Sequence, residues 1–162
     1  MMSLDLFLSS LALVASLACG LVAGVFFAFS TFVMKALARI APSEGIAAMQ
    51  SINVVVLNAW FLSLFLGTAA LCVVALVVSL LRWNESGIAW MLAGGLLYLA
   101  GTVLVTIACN VPRNEALAKV APSEPAAANF WARYVAGWTA WNHVRTAAAL
   151  AAAACFGAAL AR

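Results

Sequence analysis

Four long apolar runs limit what this chain can become. They lie at residues 6–33, about 54–81, 88–109 and about 138–160. Crossing the hydrocarbon core of a bilayer takes roughly 20 apolar residues, and each run meets that length. Lipid offers no water to satisfy backbone N–H and C=O groups, so each run must close its hydrogen bonds internally, as a helix. The alternating pattern of a membrane barrel strand is absent. Composition points the same way: 67% of the residues are hydrophobic and 8% charged, where a soluble domain carries about 25% charged residues. The expected fold is all-α, a four-transmembrane-helix bundle forming a single membrane domain over residues 1–162.

The first run differs from a cleaved signal peptide. No basic region precedes it, Asp5 stands near its start, and it stays apolar past any plausible cleavage point. It reads as a retained first helix. The four cysteines, Cys19, Cys72, Cys109 and Cys155, fall one per run and form no C-x-x-C pair. Thiol-redox chemistry needs paired thiols, so these read as small packing residues. A net charge of +3, dispersed along the chain, gives no nucleic-acid surface.

Two loop segments repeat. Residues 36–50 read ALARIAPSEGIAAMQ and residues 116–130 read ALAKVAPSEPAAANF, with nine of the fifteen positions identical at an offset of 80. The chain therefore reads as two tandem helical hairpins, about 1–81 and 82–162. Each half holds two spans, which makes the internal repeat parallel. Each loop is expected to have a short helical start, to break at Pro42 or Pro122 and to restart with Ser43 or Ser123 as the N-cap. Polar residues accumulate in the second half alone, which implies one site.

Both long loops, 35–48 and 110–137, lie on one side, with Lys35, Arg39, Arg113, Lys119 and Arg133. The positive-inside rule places them in the cytoplasm and the termini outside, as in a multi-pass protein of a bacterial inner membrane. Ser16, Gly20, Gly24 and Ala28 form a small-residue ridge, and Gly94, Gly95 and Gly101 a second group, that let helices approach closely. Such ridges are compatible with a homo-oligomer.

Against this background the stretch W-T-A-W-N-H-V-R-T, residues 138–146, is unusual. At about 100° per residue, Trp131, Tyr134, Trp138, Trp141, Asn142 and Arg145 share an arc of roughly 100°, while His143 points off it. Gly137 is a candidate break in that helix. The second polar motif is N-V-P-R-N, in which Asn110, Arg113 and Asn114 share a face, with Thr106 one turn deeper. Pro112 cannot donate a backbone hydrogen bond, and Asn110 or Thr106 offers a replacement donor. Arginine near the bilayer centre costs about 2.5–3.5 kcal/mol on insertion scales. Arg113 and Arg145 therefore either snorkel to the headgroups or face a common polar cavity. Tryptophans either anchor at the interface or wall a pocket for a flat ligand.

The glycine-rich G-L-V-A-G-V-F-F-A-F-S at residues 20–30, then N-V-V-V-L-N, N-V-P-R-N and W-x-x-W-N-H-V-R-T together resemble the anthrone oxygenase-like family of small membrane proteins. The resemblance runs from about Gly20 to Ala148. It implies a four-helix bundle that oxidises an anthrone- or quinol-like aromatic with molecular oxygen, acting on a hydrophobic small molecule drawn from the bilayer. Such a reaction needs a base and an oxyanion site. Catalytic candidates are His143, Arg145 and Arg113; substrate-binding candidates are Asn110, Asn114, Trp138, Trp141 and Asn142. No organic cofactor or metal is expected, although a single histidine suits an axial haem ligand. Two rival readings remain at this point: a non-enzymatic binding, transport or accessory membrane protein, and a haem or metal redox subunit.

Overall fold

A computed structural model describes residues 4–162. Five helices succeed one another: α1 Leu4–Leu37, α2 Pro42–Val55, α3 Ala59–Leu81, α4 Ile88–Ala118 and α5 Ala127–Leu160. There is no strand among the described residues. α1, α3, α4 and α5 are each long and apolar enough to cross a membrane. Each packs on its chain neighbour, and α5 closes the ring by packing most extensively on α1.

The four long helices differ in length. α3 has 23 residues, about one bilayer, whereas α1, α4 and α5 have 34, 31 and 34. At 1.5 Å per residue these three reach about 46–51 Å, well past a hydrocarbon core about 30 Å thick. At the loop end α2 takes the place that α3 vacates. Ile46 and Met49 of α2 join Met34, Leu117, Trp131, Tyr134 and Trp138 in a second core above the first. Gly45 permits this approach: a Cβ there would lie 2.8 Å from the Trp131 ring and 2.9 Å from the Leu37 carbonyl oxygen.

The sequence placed the loops at 35–48 and 110–137 with a short helical start in each; the structure has those helical starts and makes the connections shorter. Helix persists to Leu37 and to Ala118, and α5 begins at Ala127. Pro112 fails to end α4 because it sits at the start of a helical stretch that comes directly after a π-turn, Thr106–Asn110. That turn closes through the Val111 N–H donating to the Thr106 carbonyl. Neither Asn110 nor Thr106 covers a carbonyl freed by the proline: Asn110 donates to the Trp138 carbonyl and Thr106 to that of Thr102. Gly137 does not break α5 either.

The serine caps are also corrected. α2 begins with Pro42 in its first turn behind Ala41, and no side chain caps it. Proline lacks an N–H and has its φ preset, which suits it to that position. The second A-P-S-E lies in a turn rather than a helix, because Pro125 disfavours helical geometry in the residue before it. The two loop segments do share one end of the bundle: Gln50 Nε2 donates to the carbonyls of Leu117 at 2.9 Å and Val120 at 3.0 Å.

At the far end the bundle is closed. Ala15, Cys19, Cys72, Ala75, Ala149, Ala152 and Phe156 are fully buried. Gly94 lies against Phe156 and Gly95 against the Cys72 carbonyl, where an added Cβ would meet atoms at 3.0 Å. Gly87, in the turn between α3 and α4, has φ 77° and abuts Ala159. The ridge expected on α1 is different: a Cβ at Gly20 or Gly24 would meet nothing. α1 packs instead through Ala12, Ala15, Cys19, Val22 and Ala23, so the glycines face away from the core.

Candidate functional site

Where α3 gives way to α2, the bundle forms a half-open cavity of about 440 Å³. Its walls are mostly apolar and include Phe26 and Phe29 from α1 and Phe61 and Phe65 from α3. These rings hold one another: Phe61 stacks on Phe65 at 5.9 Å, Phe65 meets Phe26 edge-on at 6.3 Å, and Phe29 lies 5.8 Å from Trp138. The polar lining is small: Gln50, Asn53, Thr106, Asn114, Glu115 and Arg145.

Arg145 is 5% exposed. Its guanidinium carbon lies 4.2 Å from the Phe26 ring centroid and 5.2 Å from that of Trp138, an arrangement in which ring quadrupoles favour the cation. Nη1 donates to Thr106 Oγ1 at 3.2 Å and Nη2 to Asn142 Oδ1. Both partners are neutral. Nε is buried and makes no hydrogen bond. A buried charge without a counter-ion is expensive, and the guanidinium keeps one unused N–H.

Asn142 does not line the cavity; it orients Arg145. Its Nδ2 donates to the Phe26 carbonyl at 2.7 Å and to Ser30 Oγ at 2.6 Å, which turns Oδ1 toward the arginine. Ser30 reaches this position because α1 widens into a π-turn over Phe29–Val33, and the serine is buried there. Asn114 plays a comparable part on the other wall: its Oδ1 accepts from Tyr134 Oη at 3.0 Å and from Trp138 Nε1 at 2.9 Å. Asn110 is buried behind the cavity and donates to the Trp138 carbonyl at 3.2 Å.

The structure thus brings Arg145, Trp138, Asn114, Asn142 and Asn110 together and leaves three other residues outside. Arg113 was expected to share the cavity with Arg145. It lies instead across Gly137, where an added Cβ would stand 3.1 Å from its Nε. Trp141 is 37% exposed; it sits at the edge of the helical arc, just past the buried Tyr134, and faces outward. His143 is exposed and lines a separate groove with Thr31 and Lys35. The phenylalanines and the α2 residues Gln50 and Asn53 were missed. Phe26 belongs to a quoted motif, but only the π-turn and the α2 chain reversal show what faces the cavity.

Fold and site together define a four-helix protein with membrane-spanning helices and an aromatic cavity holding one buried arginine. The family model described as anthrone oxygenase matches residues 57–155, and the chain belongs to that family. No curated protein and no solved structure matches it.

Proposed function

We propose that this protein binds a flat, hydrophobic aromatic ketone or phenol in the α1–α3–α5 cavity and oxidises it with molecular oxygen. The observation that carries the reading is Arg145, buried between two aromatic rings at the cavity wall with one N–H unused. For an anthrone-like substrate the change is R₂CH₂ + O₂ → R₂C=O + H₂O. Loss of the benzylic proton gives an anion whose charge rests on the ketone oxygen. Arg145 is placed to stabilise that oxygen without reorganisation, while Trp138 and Phe26 offer faces for the rings. The resulting electron-rich carbon reduces oxygen itself, which needs no organic cofactor. Glu115 is the carboxylate among the lining residues, and it is the proton acceptor in this proposal. Val54 and Leu57, 73% and 66% exposed, stand at the cavity's edge and give a lipid-dissolved substrate an apolar approach.

The loop end, with its lysines and arginines, is proposed to face the cytoplasm, the protein residing in a bacterial inner membrane; reporter fusions in the 119–126 turn and at the C-terminus test that orientation. The catalytic reading is tested with purified protein and a model anthrone. Oxygen uptake should track substrate, and anaerobic ligand should quench Trp138 fluorescence. Binding without oxygen consumption, at any pH from 6 to 9, overturns catalysis and leaves a binding protein. A haem-like visible spectrum in the purified protein overturns the cofactor-free route.

A further inference from the structure

His143 is the histidine of the signature motif, yet the catalytic reading leaves it unused. It stands in a groove of about 460 Å³ between the loop end of α1 and α5, lined also by Ser30, Thr31, Lys35 and Thr139. We propose that this groove binds the phosphate of an anionic phospholipid headgroup.

Three observations converge. First, Thr139 Oγ1 is buried and makes no hydrogen bond. A hydroxyl left this way costs about 1–3 kcal/mol, and a turn of χ1 on this groove-lining residue would bring it to an acceptor oxygen in the groove. Second, Lys35 supplies a compact positive charge suited to phosphate, His143 adds a ring N–H donor, and no carboxylate lines the groove to oppose an anion. Third, the upper part of the groove lies at headgroup depth, with His143 little more than one turn below it. α3 starts at Ala59 and spans about one bilayer with 23 residues. Counting the same length from the far ends of the other helices gives about residue 110 on α4 and about residue 138 on α5. Asn110 does bond the Trp138 carbonyl, so the two counts agree. Thr139 sits at that level, and the Phe29–Trp138 contact sets Lys35 about a turn and a half above it on α1.

A lipid fits better than free phosphate. One turn below Thr31 on the same column of α1 is Phe27, 53% exposed, and one turn below His143 on α5 is the exposed Ala147. They form an apolar track for an acyl chain leading out of the groove. Ser30 also connects the groove to the cavity, since it accepts from the Asn142 that orients Arg145.

The test titrates the purified full-length chain in neutral detergent with phosphatidylglycerol, phosphatidylcholine or inorganic phosphate, following thermal unfolding and bound lipid by native mass spectrometry. Phosphatidylglycerol should raise Tm and be retained, with phosphatidylcholine weaker. Lys35→Gln should weaken that response by about tenfold, the scale of one charged hydrogen bond, and Lys35→Arg should restore it. Thr139→Val should weaken it while leaving the lipid-free Tm unchanged or higher, since it removes an unpaired buried hydroxyl. Wild-type protein that gains nothing from phosphatidylglycerol overturns the proposal, as does a response undiminished in both Lys35→Gln and Thr139→Val. Equal stabilisation by inorganic phosphate overturns the lipid assignment.

Discussion

The two ends of this bundle solve opposite problems with the same helices. At the end that carries the 82–87 turn, alanines, cysteines and Phe156 close the space between helices, and the glycine pair of α4 lets its neighbours touch. At the loop end three of the helices extend past the start of α3, α2 takes its place, and the space is left open around an arginine. Packing alone accounts for the first end. It does not account for the second, where a charge is buried among neutral partners and polar atoms stay unpaired. Strained or costly arrangements that persist in a well-packed fold point to a functional demand.

The sharpest way to break that contrast is Arg145→Met. If the arginine were structural, its loss would destabilise the fold. If it serves a ligand, an apolar side chain of similar length should leave Tm unchanged or higher, because the buried charge is gone. Affinity for an aromatic phenolate should fall by about 10²-fold, the effect of removing an electrostatic contact in a dry site. Thermal unfolding and fluorescence titration of one preparation measure both. Lower Tm with intact affinity would assign Arg145 to structure.

Phe156→Ala probes the closed end. Between helices in lipid, van der Waals packing replaces the hydrophobic driving force, so the cost is chiefly the cavity term. At about 24 cal/mol per Å³, a void on the order of 100 Å³ costs about 2–3 kcal/mol. The same variant should leave ligand affinity unchanged, since Phe156 packs on Gly94, far along α5 from Arg145. Loss of affinity at matched folding would show that the two ends are coupled.

Asn114→Leu takes one acceptor from two donors, Tyr134 Oη and Trp138 Nε1. Leaving such groups unpaired costs about 1–3 kcal/mol. Because Trp138 is also a cavity wall, the variant should lose both Tm and aromatic affinity, whereas Arg145→Met separates them. Thermal unfolding and fluorescence titration again read both.

Legibility in the sequence tracked the physics at each position. The spans were legible because lipid demands long apolar runs, and the Arg145–Trp138–Asn142 stripe was legible because α5 keeps one register from Ala127 to Leu160. The glycine pair at 94 and 95 was legible because close helix approach needs small side chains. Expectations failed where local rules met tertiary ones. Asn110 or Thr106 was expected to cover a carbonyl freed by Pro112, but they bond the Trp138 and Thr102 carbonyls instead. The Gly20 and Gly24 ridge has the spacing of a contact face, yet the register of α1 is set by Ala15, Cys19 and Val22. Arg113 shares a helical face with Asn114 on paper. As neighbours on the stretch Val111–Ala118 they stand about 100° apart, enough for Asn114 to line the cavity while Arg113 lies across Gly137.

The smallest expected effect completes the contrast between the two faces of α5. His143→Ala and Trp141→Ala change residues of the same motif as Arg145, on the faces turned away from the cavity. Neither touches the bound aromatic, so affinity and oxygen uptake should stay within about twofold of wild type, as for surface changes that shift stability by under about 0.5 kcal/mol. A helical wheel counts Trp141 with the site and His143 beside it; the structure separates both from Arg145. The measurement is turnover and ligand titration in the two single variants at matched folding, in detergent free of anionic lipid so that the headgroup groove does not contribute. If His143→Ala abolishes turnover there while Arg145→Met retains it, the reacting centre lies in the α1–α5 groove, and the cavity around Arg145 is not the active site.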